Sequence, residues 1–219
     1  VYKNEDLTSP FEKISEDTWR ATLLFAEDAD YSFKIEYTDF SGNVAEAYSD
    51  AFTVDNINPR IAVSYDNNSA KNGKYFAADR EMTITVTEHN FNASDVSATV
   101  ANAKATGSVA DFAAYLKNSV SWISDGDVHT AKIHFTTEAD YTFDIKYTDK
   151  SGRTNDAVDY GNSVAPKAFT LDKTAPTNPE IKIGDESVLA RGAVAFERFY
   201  NNAVTVKYNV NCDISGLDN

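Results

Sequence analysis

The sequence predicts an all-β protein built from tandem β-sandwiches, and three observations support that prediction. Residues 29–42 read ADYSFKIEYTDFSG and residues 139–152 read ADYTFDIKYTDKSG, so one pattern occurs twice. Apolar and polar residues alternate through several short segments, which is the pattern of half-buried strands. Turn-forming pairs such as Asn72-Gly73 separate these segments. Short alternating strands with regular turns are typical of antiparallel sandwiches.

The repeat also predicts the domain organisation. Tyr31 and Tyr141 occupy equivalent positions, and AFTVDN from Ala51 returns as AFTLDK from Ala168. Similarity at a fixed offset marks a tandem array. We therefore expect the C-terminal part of one repeat in residues 1–58, a complete repeat in 59–176 and the N-terminal part of a further repeat in 177–219.

Individual strands follow from the period-2 pattern. The clearest runs from Tyr141 to Tyr147, where Phe143 and Ile145 point to one side and Asp144 to the other. Predicted strands in chain order pass through Phe33–Tyr37, Ile61–Val63, Met82–Val86, Val120–Trp122, Ala131–Phe135, Tyr141–Tyr147, Phe169–Leu171, Ile181–Ile183 and Val204–Val206.

One segment has helical rather than strand periodicity. Val109, Phe112 and Leu116 fall on one face of a helix, and Ser108 is a suitable N-cap. The sequence therefore predicts a short helix over 108–117, inserted between strands of the complete repeat.

Proline-ended segments mark the joints between repeats. VDNINP (54–59) and LDKTAP (171–176) follow equivalent strands, and proline stiffens such a joint. Asp55 and Asp172 lie in these linkers and are candidate Ca²⁺ ligands. Ca²⁺ is therefore the one cofactor considered for the chain, at the domain joints.

Two further aspartates recur before the Ser-Gly turns. Asp39 and Asp149 are either calcium ligands or residues that shape the turn by accepting backbone N–H bonds, and the second reading is favoured.

Composition excludes several classes of function. The chain has 20 Lys and Arg against 34 Asp and Glu, a net charge of −14, which argues against nucleic acid and against anionic lipid. It contains no apolar run near the ~20 residues that a transmembrane helix needs. Its single cysteine, Cys212, excludes an intrachain disulfide.

Catalysis is not expected. The three histidines, His89, His129 and His134, lie in or beside strand patterns, and no GxSxG or HExxH signature occurs.

Two insertions distinguish the complete repeat from its partner and are the candidate partner-binding sites. The predicted helix carries Tyr115, and stretch 153–166 carries Asp159, Tyr160 and Asn162. Aromatic residues on loops of a rigid scaffold recognise partners in many folds. The alternative is that Tyr160 covers the edge of the sandwich and Tyr115 packs sideways.

The sequence pattern YTxxIxYTDxSG followed by FTLDKTAPT resembles bacterial immunoglobulin-like repeats, which occur in cell-surface, adhesin-type proteins of Gram-positive bacteria. The resemblance implies an immunoglobulin-like sandwich in which Trp122 lies on a core strand, Tyr141 forms the tyrosine corner and Phe143 replaces the second cysteine. It also implies a secreted or cell-wall location and binding of a host or environmental partner, either a protein such as an immunoglobulin or a glycan. The alternatives are a purely structural stalk and a carbohydrate-binding accessory module of a secreted enzyme.

The partial repeats at the two ends are complementary. Residues 1–58 align with the second half of the complete repeat and residues 177–219 with its first half. Ile181 and Ile183 match Ile61 and Val63, and Val204–Val206 match Ile84–Val86. One hypothesis is that the halves complete each other between neighbouring molecules; the other is that they belong to flanking domains.

Overall fold

The computed structural model describes residues 11–103, 120–183, 186–188, 201–212 and 214–216. The chain divides into two compact units. Unit 1 is Val1–Asn58 with Lys150–Arg153, and unit 2 is Pro59–Asp149 with Thr154–Asn219. The predicted helix over 108–117, including Tyr115, lies outside the described residues. No helix in the described part of the chain has the length and apolar character needed to cross a bilayer.

Unit 1 consists of two antiparallel strand pairs within its described residues. The strands are β1 (Glu12–Ser15), β2 (Thr18–Arg20), β3 (Ala29–Ile35) and β4 (Tyr48–Val54). β1 pairs with β2, and β3 pairs with β4 in a register that sets Tyr31 opposite Phe52. Asp39 shapes the turn after β3, because its Oδ1 accepts hydrogen bonds from the N–H groups of Ser41 (2.9 Å) and Asn43 (2.8 Å).

Residues 59–149 and 154–176 of unit 2 form a module that we call the central module. Its first sheet contains β5 (Arg60–Tyr65), β7 (Arg80–Thr87), β9 (Ile123–Asp125) and β10 (Val128–Phe135). The strand order is β5-β7-β10-β9, all antiparallel. β7 shows why these residues form a strand, since buried Met82, Ile84 and Val86 alternate with threonines on the other face.

The second sheet of the central module contains β6 (Tyr75–Phe76), β8 (Val96–Ala103), β11 (Ala139–Tyr147) and β12 (Ala168–Leu171). Its order is β6-β12-β11-β8, with β6 parallel to β12. A single 3-10 turn, Ala93–Asp95, leads into β8, and the side chain of Asn92 caps it by accepting a hydrogen bond from Ser94 N–H.

One core lies between the two sheets. Ile84, Tyr141 and Phe143 belong to a single buried cluster, so the predicted parity of their strands is confirmed. Tyr141 also donates its hydroxyl to the carbonyl of Thr137 at 2.6 Å, four residues upstream. Residues from both sheets pack face to face, which makes the module a β-sandwich.

The prediction for Trp122 was wrong in part. Val120–Trp122 form no strand; Trp122 is half-buried against the cluster and its ring lies 4.9 Å from that of Phe91. The strand that follows β7 is β8, whose sequence VSATVANA lacks the alternation of large apolar residues that marks the other strands. That composition explains why sequence reasoning missed it.

A third sheet follows the central module. It contains β13 (Thr177–Ile183), β14 (Glu186–Val188) and β15 (Val206–Asn211), in the order β14-β13-β15. The strand predicted through Val204 begins at Val206. The pairing of β15 also corrects the predicted alignment of this strand with β7 by two residues. Ile183 pairs with Val206, and its counterpart Val63 pairs with Ile84. Val206 therefore occupies the position of Ile84 and not, as predicted, that of Val86.

Candidate functional site

The inserted stretch after β11 lies along the free edge of β5. The N–H of Asp159 donates to the carbonyl of Ile61 at 2.9 Å, and the N–H of Val63 donates to the carbonyl of Asp159 at 2.7 Å. Among the described strands, β5 is otherwise at the edge of its sheet. The backbone of the insertion therefore covers a strand edge, and covered edges resist unwanted pairing.

A buried arginine fastens the C-terminal end of the insertion. Arg80 is 1% exposed, and its guanidinium donates to the carbonyls of Val164 and Ala165. The hydroxyl of Tyr65 donates to the next carbonyl, that of Pro166, at 2.8 Å. Three consecutive carbonyls are thus held by two side chains of the first sheet, which fixes the insertion as a rigid strap.

Aromatic rings surround the same guanidinium. Its central carbon lies 3.7 Å from the ring centroid of Tyr65, 4.1 Å from that of Phe76 and 4.7 Å from that of Phe169. Cation–π attraction of this kind offsets part of the cost of burying a charge. The remaining desolvation lowers the pKa of Arg80 to about 10.

The fastened strap and β5 line an open cleft of about 290 Å³. The cleft is lined by Ala62, Val63, Ser64, Tyr65, Asn68, Thr85, Asp159, Tyr160, Gly161, Asn162 and Ser163. The structure therefore brings together three of the predicted binding residues, Asp159, Tyr160 and Asn162, at one place on the central module. The fourth, Tyr115, lies outside the described residues.

The polar groups of this cleft are mostly uncharged. Asp159 supplies the one carboxylate of the lining, and its Oδ1 accepts a hydrogen bond from Gly161 N–H at 2.8 Å. Desolvation and, to a lesser extent, the charge of Asp144 raise the pKa of Tyr160 above the ordinary value of a tyrosine. Lys167 lies over the Tyr160 ring, 5.5 Å from its centroid. Such a surface offers hydrogen bonds and two aromatic side chains, those of Tyr65 and Tyr160, to a polar ligand.

The linker aspartates shape the backbone in the same way at both joints. Asp55 Oδ1 accepts from the N–H of Ile57 at 3.1 Å, and Asp172 Oδ1 accepts from the N–H of Thr174 at 3.2 Å. Asp172 Oδ2 also accepts from Ser215 N–H at 3.0 Å, beside a second cleft of about 410 Å³. These bonds give both residues a turn-forming role, and calcium at the joints stays a prediction.

Sequence reasoning did not single out Glu88, which lies beside Asp149 in unit 2. Both side chains are buried, and their carboxylate oxygens lie within 4.8 Å of each other. Glu88 Oε1 accepts a hydrogen bond from Asn90 N–H at 2.9 Å. The signal was present in the sequence, because Glu88 continues the inward parity of Met82, Ile84 and Val86. Asp149 is thus more deeply buried than its counterpart Asp39, which is half-buried.

The hydroxyl of Ser124 and the imidazole of His129 lie in contact in the central module. Ser124 Oγ lies 2.8 Å from His129 Nδ1, and His129 Nε2 lies 2.8 Å from the carbonyl of Glu88. A carbonyl only accepts, so Nε2 donates to it, and in the neutral imidazole Nδ1 then accepts from Ser124. The third partner is a neutral carbonyl rather than the carboxylate of a catalytic triad. His129 is 7% exposed, and its ring centroid lies 4.2 Å from that of Phe91, on which it stacks. Both ring nitrogens have hydrogen-bond partners, as is usual for a histidine in a core.

Comparison of the chain with protein-family models, with curated proteins and with solved structures found no match.

Proposed function

We propose that this chain is a non-catalytic repeat segment of a bacterial cell-surface protein, secreted or held in the cell wall, and that its central module binds a host or environmental partner. The observation that carries the proposal is the strap: an insertion absent from the other repeat, fastened by a buried arginine, that lines a cleft with Asp159, Tyr160 and Asn162.

The strand order supports an immunoglobulin-like identity for the central module. Immunoglobulin constant domains place strands A, B, E and D in one sheet and C, F and G in the other. Assigning A to G in chain order to β5, β7, β8, β9, β10, β11 and β12 reproduces both sheets. The hydroxyl of Tyr141 bonds to a carbonyl upstream, as in a tyrosine corner.

The chemistry of the cleft favours a polar partner. Hydroxyl and amide side chains (Ser64, Thr85, Asn162) surround Tyr160, and such groups hydrogen-bond equally well to glycan hydroxyls and to peptide groups. The net charge of −14 disfavours an acidic partner. A host protein or a neutral glycan is therefore the expected ligand class.

Glycan-array binding and pull-down from host serum with the 219-residue chain test this proposal. Tyr160→Ala and Asn162→Ala should each weaken binding at least ~10-fold, since central interface contacts are worth more than ~1.4 kcal/mol. Asn56→Ala, which changes an exposed asparagine of unit 1, is the matched control and should bind as the parent does.

Two results would contradict the proposal. Undiminished binding by both cleft variants would place the partner elsewhere on the chain. Absence of any ligand in both assays would favour the alternative, a structural stalk whose proline-ended linkers space the repeats.

A further inference from the structure

The strap pairs with the edge of β5 at one residue. Asp159 bonds through its N–H to the carbonyl of Ile61 and through its C=O to the N–H of Val63, which is the pattern of a single residue in a parallel pair. Backbone groups of alternate residues in a strand point to the same side. The carbonyl of Val63 and the N–H of Tyr65 are therefore the next groups along this edge.

The strap turns away from β5 directly after this bridge. Asp159 Oδ1 accepts from the N–H of Gly161, whose φ of +51° lies in the left-handed region that favours glycine. The N–H of Ser163 then donates to the carbonyl of Tyr160 at 3.0 Å. Residues 160–163 thus form a turn, and this turn leaves the cleft open beside the edge of β5.

Asn68 holds the other end of the cleft. Its Nδ2 donates to the carbonyl of Tyr65 at 3.1 Å, and its Oδ1 accepts from the N–H of Val164 at 2.9 Å, where the strap returns. Within the part of the chain that the structure describes, no hydrogen bond reaches the carbonyl of Val63 or the N–H of Tyr65. The side chains of both residues lie in the core, so it is their backbone that lines the cleft.

The cleft therefore offers one backbone acceptor and one backbone donor at the spacing of a strand. An extended peptide residue matches both, because its own N–H and C=O point to the same side, as those of Asp159 do. A single secondary amide, such as the acetamido group of an amino sugar, has its N–H and C=O on opposite sides and reaches only one of them. Sugar hydroxyls can bond to either group but gain nothing from the strand spacing.

We propose that the cleft binds an extended peptide segment of a partner protein by β-strand addition, parallel to β5. One peptide residue donates its N–H to the carbonyl of Val63 and accepts through its C=O from the N–H of Tyr65. It takes the place that Gly161 would occupy if the strap continued along β5. This assignment rests on the proposed function, because it uses the same cleft.

The lining also determines which peptides fit. Ala62 and Ser64 form part of the lining and are small, exposed residues of β5, so a second backbone can approach closely. Asp159 supplies the one carboxylate of the lining, and the chain has a net charge of −14. Charge complementarity therefore favours Lys and Arg over Asp and Glu in the bound peptide.

Selection from a random peptide library displayed on phage, with the immobilised 219-residue chain as target, supplies the probe. A synthetic copy of the selected peptide is then N-methylated at one residue at a time. Methylation of the residue that bonds to Val63 removes a donor and should weaken binding at least ~10-fold. Methylation of either neighbour, whose N–H points away from β5, should leave the affinity unchanged. A peptide that tolerates N-methylation at every position would overturn the proposal.

Hydrogen exchange of two neighbouring amides reports the same bond in the parent chain. Saturating peptide should slow exchange of the Tyr65 amide at least ~10-fold, because this amide gains an acceptor. The Val63 amide is the internal control, since it already donates to Asp159 without the peptide, and its rate should not change. Unchanged exchange at Tyr65 in the peptide complex would contradict the pairing.

A bulky side chain in the cleft separates this site from the rest of the sheet. Ser64→Trp, at an exposed position of the lining, should abolish peptide binding. Val128→Trp, at an exposed position of the same sheet that does not line the cleft, is the matched control and should bind as the parent does. Equal binding by both variants would overturn the proposal.

The selection also distinguishes this proposal from the proposed function. If no peptide is selected while the glycan array yields a ligand that Tyr160→Ala weakens, the peptide assignment is wrong and the binding function stands. If neither the library nor the array and pull-down yields a ligand, both are wrong.

Discussion

Unit 1 and the central module contain equivalent aromatic clusters that differ in how far they are exposed to solvent. Phe25, Tyr31 and Phe52 have ring centroids 4.8 to 5.5 Å apart. Their counterparts Phe135, Tyr141 and Phe169 have centroids 5.1 to 5.3 Å apart. Yet Phe52 is 38% exposed and Phe169 is 2% exposed. The segments that the two regions share therefore set the local geometry of the cluster, while strands outside these segments decide whether the cluster becomes a buried core.

The hydrogen bonds of the two regions repeat as well. Tyr31 donates its hydroxyl to the carbonyl of Glu27 at 2.9 Å, four residues upstream, as Tyr141 does to Thr137. Thr53 donates to Asp30 at 2.6 Å, and Thr170 donates to Asp140 in the same way. Polar contacts made within one strand pair thus form without the rest of the sandwich, and they do not depend on burial.

The largest difference should appear on truncating a matched pair of phenylalanines. Phe143→Ala should lower the free energy of unfolding of the central module by about 3–5 kcal/mol, as for other buried aromatics. Phe33→Ala should cost unit 1 only about 1 kcal/mol, because Phe33 is partly in water before unfolding. Denaturation followed by amide NMR signals of each region measures both losses. Equal losses would mean that unit 1 has a closed core of its own.

Removal of the buried arginine should affect the central module alone. Arg80→Met leaves the carbonyls of Val164 and Ala165 without their donor, so we expect a loss of about 3 kcal/mol and faster proteolysis within 154–166. The matched control is Arg60→Met at an exposed position of β5, which should change stability by less than about 0.5 kcal/mol. If the strap of the Arg80→Met variant resisted proteolysis as well as that of the parent, the proposed role of Arg80 in fastening it would be contradicted.

The hydroxyls of Tyr31 and Tyr141 give another matched pair for comparing unit 1 with the central module. Tyr141→Phe leaves the partly buried carbonyl of Thr137 without this donor and should cost about 1–2 kcal/mol. Tyr31→Phe removes the equivalent bond where water can replace it, so the cost should be less than about 0.5 kcal/mol. Chemical denaturation of both variants measures the difference, and a Tyr31 variant as damaging as the Tyr141 variant would contradict it.

The smallest effect concerns alkaline pH. Desolvation raises the pKa of Tyr141 and Tyr147 above the ordinary value of 10.0. The folded state then keeps protons that the unfolded state has lost, so the free energy of unfolding should fall as pH rises above about 10. Arg80 has the opposite sign, because its lowered pKa makes the folded state the weaker proton binder. Urea unfolding between pH 8 and 11 should therefore show a steeper loss for Arg80→Met than for the parent.

Much of the fold could be predicted because period-2 alternation and turn residues are local signals. The strands through Ile84 and Phe143 and the turn at Asp39 were predicted on that basis. β8 was missed because its residues are small, and the two-residue shift of Val206 was missed because parity alone does not determine register. Of the candidate site, the composition of the insertion pointed to Asp159, Tyr160 and Asn162. Arg80 was not predicted, since an arginine at the start of a strand gives no local sign of burial.

Hydrogen exchange of the parent chain tests most directly the claim that cover by neighbouring strands, and not the local sequence, distinguishes the two regions. Amides of residues 131–135 should be strongly protected, because β10 pairs with β7 over this range. Amides of residues 21–25, which have the equivalent place in the repeat but form no strand, should exchange much faster. Equal protection of residues 21–25 and 131–135 would contradict the account.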